Sequence, residues 1–162
     1  MTFPSARWLR RTALATILAG SSLAAFAHGD VVPHGIDTKD LPQLGTTWLA
    51  TNPYLADADT KDKALKIGAS GFGQNCARCH GIDAISGGIA PDLRKLDNEC
   101  ATAKPAKREA CTTEIDGYFL ATIRAGRTRN GAVYMPPFEG ILSQEAMWAI
   151  KTYLVSRREK PF

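Results

Sequence analysis

The chain has 162 residues, 44% of them hydrophobic and 22% charged, a composition that excludes a disordered protein and provides for one domain. Its formal charge of +4 depends on three arginines near the N-terminus, and the rest of the chain carries 17 basic and 16 acidic side chains. This near-neutral remainder excludes a nucleic-acid-binding protein, which would need a basic surface.

The first 27 residues have the pattern of an export signal. The three arginines precede an apolar stretch, residues 12–26, which has no acidic side chain, and Ala25 and Ala27 supply the small residues of a cleavage site. The alternative is a retained membrane anchor, but the apolar stretch is shorter than the ~20 residues that a transmembrane helix needs. We predict cleavage after Ala27, a periplasmic mature protein and no membrane span in the mature chain.

Residues 28–61 are predicted to form an irregular N-terminal extension, because glycines and prolines interrupt this segment repeatedly. Such a segment cannot build a core by itself. Two alternatives remain open: the extension wraps around the following domain through Trp48 and Tyr54, or it is a mobile tail. The domain itself is predicted to span residues 62–162.

A first helix is predicted for residues 62–79, and it ends in the sequence C-A-R-C-H at residues 76–80, the motif of covalent haem attachment. Two thiols at this spacing can bond to the two vinyl groups of one porphyrin, and the adjacent imidazole then lies over the iron. We therefore predict one covalently bound haem c, attached at Cys76 and Cys79, with His80 as an iron ligand.

Two other sites could use such a cysteine pair. A thioredoxin-like dithiol would require a βαβ context, and a structural zinc site would require two further cysteines or histidines at paired spacing. The sequence has neither feature. Haem attachment is the interpretation that the histidine and the export signal both favour.

The remaining cysteines, Cys100 and Cys111, flank a polar segment, residues 101–110, that is predicted to be a loop. In an oxidising compartment two spare thiols are expected to form a disulfide, worth ~3 kcal/mol through loop-closure entropy. The alternative is a redox-active pair, although catalytic dithiols usually lie closer together in sequence. A further helix is predicted for residues 113–124, from a capping pattern at its start and a buried face.

Met135 is predicted to be the second axial ligand, because two prolines follow it and hold the chain extended, which suits a thioether presented from a loop. The other candidates fit less well. Met147 belongs to the apolar stripe of a predicted C-terminal helix, residues 143–158, where core packing is usual. His28 and His34 lie close to the new N-terminus among glycine and proline, where histidines are usually solvated.

The sequence of residues 62–158 resembles the class I cytochromes c. Gly68 and Phe72 stand eight and four residues before the first motif cysteine, as in the N-terminal helix of that family. The resemblance implies an all-α fold in which three to five helices surround one covalently bound haem. It covers the predicted domain and not the extension.

The sequence A-P-D-L at residues 90–93 is similar to the G-P-x-L segment of the same family. The resemblance implies that the carbonyl group of Pro91 accepts a hydrogen bond from His80 and that Leu93 packs on the haem. Such a partner fixes the orientation of an iron-bound histidine and raises its basicity. Ala90 replaces the usual glycine, so the turn departs from the family pattern.

The chain is similar, more closely, to the soluble cytochromes that accompany quinoprotein (PQQ-dependent) alcohol dehydrogenases. The similar stretches are residues 52–54, 74–81, 85–96 and 126–139, together with the extra cysteine pair. This resemblance implies a quinoprotein alcohol dehydrogenase as electron donor and a respiratory oxidase as electron acceptor. We expect a monomer.

Two functions follow from the ligand set. With His80 and Met135 both bound, the iron has no open position, so the chain would be a one-electron carrier and not an enzyme. The alternative is a haem enzyme or gas-binding protein, such as a peroxidase or a sensor, in which Met135 is not bound. Arg124, Arg127 and Arg129 precede Met135 and are candidates to pair with the haem propionates or to dock an acidic partner, although most surface arginines do neither.

Overall fold

The computed structural model describes residues 32–158, so the predicted export signal and His28 lie outside the described residues. The elements in this range are α1 (Ala58–Asn75), α2 (Ala77–His80), α3 (Asn98–Thr102), α4 (Pro105–Ala125), β1 (Arg127–Arg129), β2 (Ala132–Met135) and α5 (Gln144–Ser156), with short 3-10 helices at Pro53–Leu55, Ile82–Ala84 and Leu93–Lys95. This confirms the predicted all-α class. No helix among residues 32–158 combines the length and the apolar character needed to cross a bilayer.

The centre of the fold is the crossing of α1 and α5. Gly68 in α1 lies so close to α5 that a Cβ atom there would overlap the backbone carbonyl group of Ala149. The apolar stripe predicted for the C-terminal helix is buried, including Met147 and Leu154. Because two backbones meet directly, the crossing depends on the missing side chain of Gly68.

The extension wraps around the helices in the described range, residues 32–55. Leu41 and Tyr54 are buried in the same core as the helices, and the phenol of Tyr54 donates a hydrogen bond back to the extension. The backbone N–H of Leu44 donates to Oε1 of Glu145 in α5 over 2.8 Å. The extension therefore covers the start of α5.

The first helix is displaced from its predicted range of 62–79. Asp57 caps it, accepting a hydrogen bond from the backbone N–H of Thr60 over 2.8 Å, so α1 begins four residues earlier. It ends before Cys76, whose backbone leaves the helical conformation, and α2 continues after this break. Because of this break, the second motif cysteine and the histidine lie on a separate short helix and not on α1.

The predictions of a polar loop at 101–110 and of a helix start at residue 113 were wrong. Helix α4 begins at Pro105, because proline is favoured in the first helical turn and the alanine, lysine, arginine and glutamate that follow it favour helix. The hydroxyl group of Thr113 donates to the carbonyl of Glu109 over 3.1 Å, as a threonine inside a helix does. The apparent capping pattern was a mid-helix threonine.

Cys100 in α3 and Cys111 in α4 form a disulfide in the structure, with their Cα atoms 5.4 Å apart. This Cα separation lies within the range that a disulfide can bridge. The bond joins two successive helices and closes the segment that the sequence had suggested was a loop.

The hairpin of β1 and β2 was not predicted. Asn130 and Gly131 form its turn with positive φ angles of 52° and 78°, the backbone that a tight antiparallel hairpin requires. Met135 is consequently the last residue of a strand and does not lie within a loop. The Asn-Gly pair was the sequence signal for this turn.

A buried ionic cluster lies between α4, α5 and the segment before α3. Nζ of Lys151 lies 3.3 Å from Asp116 and 3.6 Å from Asp97. Arg158 donates two hydrogen bonds to Asp97, at 2.8 and 2.6 Å. Burial raises the pKa of Asp97, but the hydrogen bonds from Arg158 and the charge of Lys151 together lower it below its ordinary value.

We expect Asp97→Asn to reduce the free energy of unfolding by about 3 kcal/mol at pH 7, because it leaves a buried lysine without one of its charge partners. A lowered carboxyl pKa stabilises the folded state above the unfolded value, near pH 4, and this stability is lost as the pH falls through the folded pKa. The variant should therefore lose less stability than wild type between pH 5 and pH 2 in urea titrations. Asp37→Asn, in an exposed pair with Lys39, is the control and should behave like wild type.

Candidate haem site

A cavity of about 490 Å³ opens between α1, α2, α4, α5, the 3-10 helix at Leu93–Lys95 and the hairpin. Its volume is in the range of sites for cofactors and other small molecules. The wall is mainly apolar, with side chains from all of these elements, among them Phe72, Leu93, Ile123, Phe138 and Leu154. An apolar group of cofactor size can be accommodated here.

The thiols of Cys76 and Cys79 lie on this wall and are not disulfide-bonded. Burial, followed by the proximity of Cys79, raises the pKa of the Cys76 thiol to about 12. A catalytic dithiol needs a lowered pKa, because the thiolate is its reactive form. The environment of Cys76 is therefore unlike that of a catalytic thiol.

His80 is held in one tautomer by its neighbour. Its Nδ1 lies 2.9 Å from the carbonyl oxygen of Pro91, and since that oxygen can only accept, Nδ1 carries the proton. Nε2 is then the nitrogen with a free lone pair, which is what a metal ligand requires. The structure thus brings His80, Pro91 and Leu93 together at the cavity.

Met135 lies on the same cavity, partly buried at the end of β2. Its backbone is fixed by a close approach to Gly126, where φ is 67° and a Cβ atom would overlap the carbonyl oxygen of Met135. Met147, by contrast, is fully buried in α5 and does not line the cavity, and neither does His34. Among residues 32–158, Met135 is the methionine that shares the site with His80.

Comparison with known proteins shows the family of the chain. The family described as cytochrome c oxidase, cbb3-type, subunit III matches residues 63–154. Cytochrome c550 from Pseudomonas aeruginosa is 48% identical over 142 residues, which cover 86% of this chain and 89% of that protein. The chain belongs to the class I c-type cytochromes. The cytochrome is therefore a haem-binding electron-transfer protein and not an enzyme.

Two further relatives match this chain over only part of their own length. Quinohemoprotein alcohol dehydrogenase ADH-IIG from Pseudomonas putida is 34% identical over 58% of the cytochrome and 11% of that protein. The cbb3-type cytochrome c oxidase subunit FixP from Sinorhizobium medicae is 35% identical over 66% of the cytochrome and 35% of that protein. No solved structure matches the chain significantly.

The residues of the cavity fit haem c. Two unbonded thiols and an imidazole with a free Nε2 line an apolar space, which is the set of donors that covalent attachment and iron ligation need. Met135 adds a soft sulfur ligand that lines the same cavity. Cys76 and Cys79 would hold the cofactor, and His80 and Met135 would bind its iron.

The three arginines near Met135 have different positions in the structure. Arg127 lines the cavity and donates to the hydroxyl group of Thr122, so it is the one of the three that remains a candidate to pair with a propionate. Arg129 is exposed on β1. Arg124 does not line the cavity. Its guanidinium instead donates a hydrogen bond to Glu139 over 2.6 Å.

Two contacts at the site could not be inferred from the sequence. The phenol of Tyr134 donates to the carbonyl of Ile89 over 2.6 Å, which joins the hairpin to the loop after α2. The side chain of Asn75, just before the first motif cysteine, accepts a hydrogen bond from the backbone N–H of His34 over 2.7 Å. Both contacts join segments more than 40 residues apart, and no local pattern signals them.

Proposed function

We propose that the cytochrome is a periplasmic one-electron carrier with a single haem c, bound through Cys76 and Cys79, with His80 and Met135 as axial ligands. One observation carries this proposal: the two thiols, the imidazole and the thioether all lie on one apolar cavity. The sequence has a single C-x-x-C-H motif, which supports one haem. When bound, the haem iron supplies the one-electron Fe(III)/Fe(II) couple.

The chain's own residues would tune and protect that couple. The hydrogen bond from His80 to Pro91 fixes the orientation and the tautomer of the imidazole ring. The thioether of Met135 favours the ferrous state, and so does the apolar wall, because it keeps water from the more highly charged ferric state. The residues therefore favour a high reduction potential and leave no position for a substrate.

The predicted export signal at residues 1–27 supports a periplasmic location. The disulfide between Cys100 and Cys111 supports it independently, because structural disulfides persist in oxidising compartments. In the periplasm covalent attachment would also keep the haem from being lost to the surroundings.

The proposed donor is a quinoprotein alcohol dehydrogenase, and the proposed acceptor is a respiratory oxidase. Similarity to cytochrome regions of two quinohemoprotein alcohol dehydrogenases from Pseudomonas putida supports the donor. Similarity to the oxidase subunit FixP supports the acceptor. A separate carrier would perform the step that a fused cytochrome domain performs within a larger protein.

A purified quinoprotein alcohol dehydrogenase, given alcohol, should reduce the ferric cytochrome rapidly in a stopped-flow experiment, and the rate should fall as salt is added. Arg129→Gln should slow reduction about twofold at low salt, because an exposed charge near the site steers the encounter. The control is Lys39→Gln, which removes an exposed charge from the extension and should react like wild type.

Two results would count against the proposal in different ways. Reduction no faster than by an unrelated flavoenzyme would remove the dehydrogenase as donor. If reduction is fast but its rate changes neither with salt nor in Arg129→Gln, the dehydrogenase remains the proposed donor and the steering role of Arg129 is wrong.

A further inference from the structure

Trp48 of the extension is fixed in place by the first residue of α5. Gln144, which is 5% exposed, accepts a hydrogen bond from the backbone N–H of Leu49 over 2.7 Å and donates one to the carbonyl of Thr47 over 3.1 Å. The amide thus bonds to the residues on both sides of Trp48. Its oxygen also accepts from the indole of Trp148 over 3.3 Å, which fixes the amide in turn.

The ring of Trp48 lies against the guanidinium of Arg124, whose Cζ is 4.1 Å from the ring centroid. This is a cation–π contact, and tryptophan provides the strongest ring for it. Within residues 32–158 the Nε atom of Arg124 is buried without a hydrogen-bond partner. The attraction of the Trp48 ring for the guanidinium therefore replaces the hydrogen bonds to water that Nε of Arg124 has lost.

The other side of Arg124 is bonded to the segment that follows Met135. Nη2 of Arg124 donates to Oε1 of Glu139 over 2.6 Å, four residues after Met135. The backbone N–H of Phe138 donates to the carbonyl of Ile123 over 3.0 Å, and that of Glu139 to the carbonyl of Arg124 over 3.4 Å. The segment from Met135 to Glu139 is thus hydrogen-bonded to the end of α4, and Arg124 provides the side-chain hydrogen bond.

An exposed ion pair between arginine and glutamate holds a chain segment only weakly, because both side chains must give up conformational freedom in solvent. Here one partner is already immobilised, since Arg124 lies on a ring whose own backbone is fixed by Gln144. Because the extension already orders Arg124, forming the ion pair with Glu139 costs less side-chain entropy. Removing the ring would free Arg124 and loosen Glu139 with it.

We infer that Trp48 is a positioning residue for the Met135 ligand: through Arg124 and Glu139, it lowers the fraction of molecules in which Met135 has left the iron. This role rests on the proposed ligation by Met135. It gives the extension a function in the haem site, although Trp48 itself does not line the cavity.

Added imidazole provides the test, because it can bind the ferric iron only in molecules whose Met135 has left. Its apparent affinity is therefore proportional to that fraction. Trp48→Leu keeps an apolar side chain but loses the aromatic face, and should bind imidazole about three- to tenfold more tightly than wild type. Trp48→Phe retains a weaker aromatic face and should lie between the two proteins.

Three further comparisons separate positioning from general destabilisation. In Trp48→Leu the amide of Phe138 should exchange its hydrogen faster than in wild type. Leu41→Ala, a buried substitution elsewhere in the extension, should lower the urea midpoint but leave imidazole affinity unchanged. Glu139→Gln, which changes a half-exposed side chain and should fold normally, is expected to raise imidazole affinity in the same direction as Trp48→Leu.

Wild-type imidazole affinity in Trp48→Leu, or an equal rise in Leu41→Ala, would overturn the role of Trp48. A wild-type protein that lacks the methionine-to-iron absorption band and binds imidazole without any displacement step would overturn the Met135 ligand itself, and with it this role. The first pair of results leaves the ligand assignment standing, so the two failures can be told apart.

Discussion

Replacing Met135 by alanine is expected to abolish the far-red absorption band of the ferric cytochrome and to lower its reduction potential by a few tenths of a volt. The band arises from charge transfer between a thioether sulfur and ferric iron, so it reports the bond directly. The potential falls because a soft sulfur ligand favours ferrous iron, and axial ligation spans ~0.8 V among haem proteins. Visible spectroscopy and a potentiometric titration measure the two effects.

Met147→Leu is the matched control, because Met147 is buried in α5 away from the cavity. This change conserves volume and should cost less than about 1.5 kcal/mol of stability, with the far-red band intact. A band that survives Met135→Ala, or that disappears in Met147→Leu, would show that Met135 is not the ligand.

Gly68→Ala is expected to reduce the free energy of unfolding strongly, by about 3 kcal/mol. The added methyl group would overlap the carbonyl group of Ala149, and this obstacle is backbone that cannot rotate away. The crossing of α1 and α5 would have to open, which would disturb the wall of the cavity as well. Urea unfolding, followed by circular dichroism, measures the change.

Gly73→Ala provides the comparison within the same helix. Gly73 is exposed, and a Cβ atom there would meet nothing within 4 Å. Alanine favours helix over glycine by up to ~1 kcal/mol, so this variant should be slightly more stable than wild type. Similar losses in both variants would mean that α1 and α5 do not cross at Gly68 as described.

The sequence was most informative where local pattern and chemistry coincide. The spacing of Cys76, Cys79 and His80 predicted the haem motif, and the apolar stripe of the C-terminal helix predicted the buried face of α5. The boundaries of other helices were less predictable. Thr113 looked like a helix cap, but the favourable residues after Pro105 continue the helix through it.

What the sequence could not provide were contacts between distant segments. The Asn130-Gly131 turn was a local signal for the hairpin, but nothing local indicates that Trp48 lies on Arg124. For the same reason Arg124 was grouped with Arg127 as a candidate for the propionates, whereas in the structure it is bonded to Glu139. Charge and spacing show which residues could act, and only packing shows which partner each one has.

Carbon monoxide provides the most direct test of the central assignment, a one-electron carrier in which both axial positions of the iron are filled. When the reduced cytochrome is mixed with carbon monoxide at neutral pH, we predict an unchanged visible spectrum, because His80 and Met135 leave no position for the gas. Rapid stoichiometric conversion to a carbon-monoxide-bound spectrum would contradict this assignment and favour a haem protein with an open iron site.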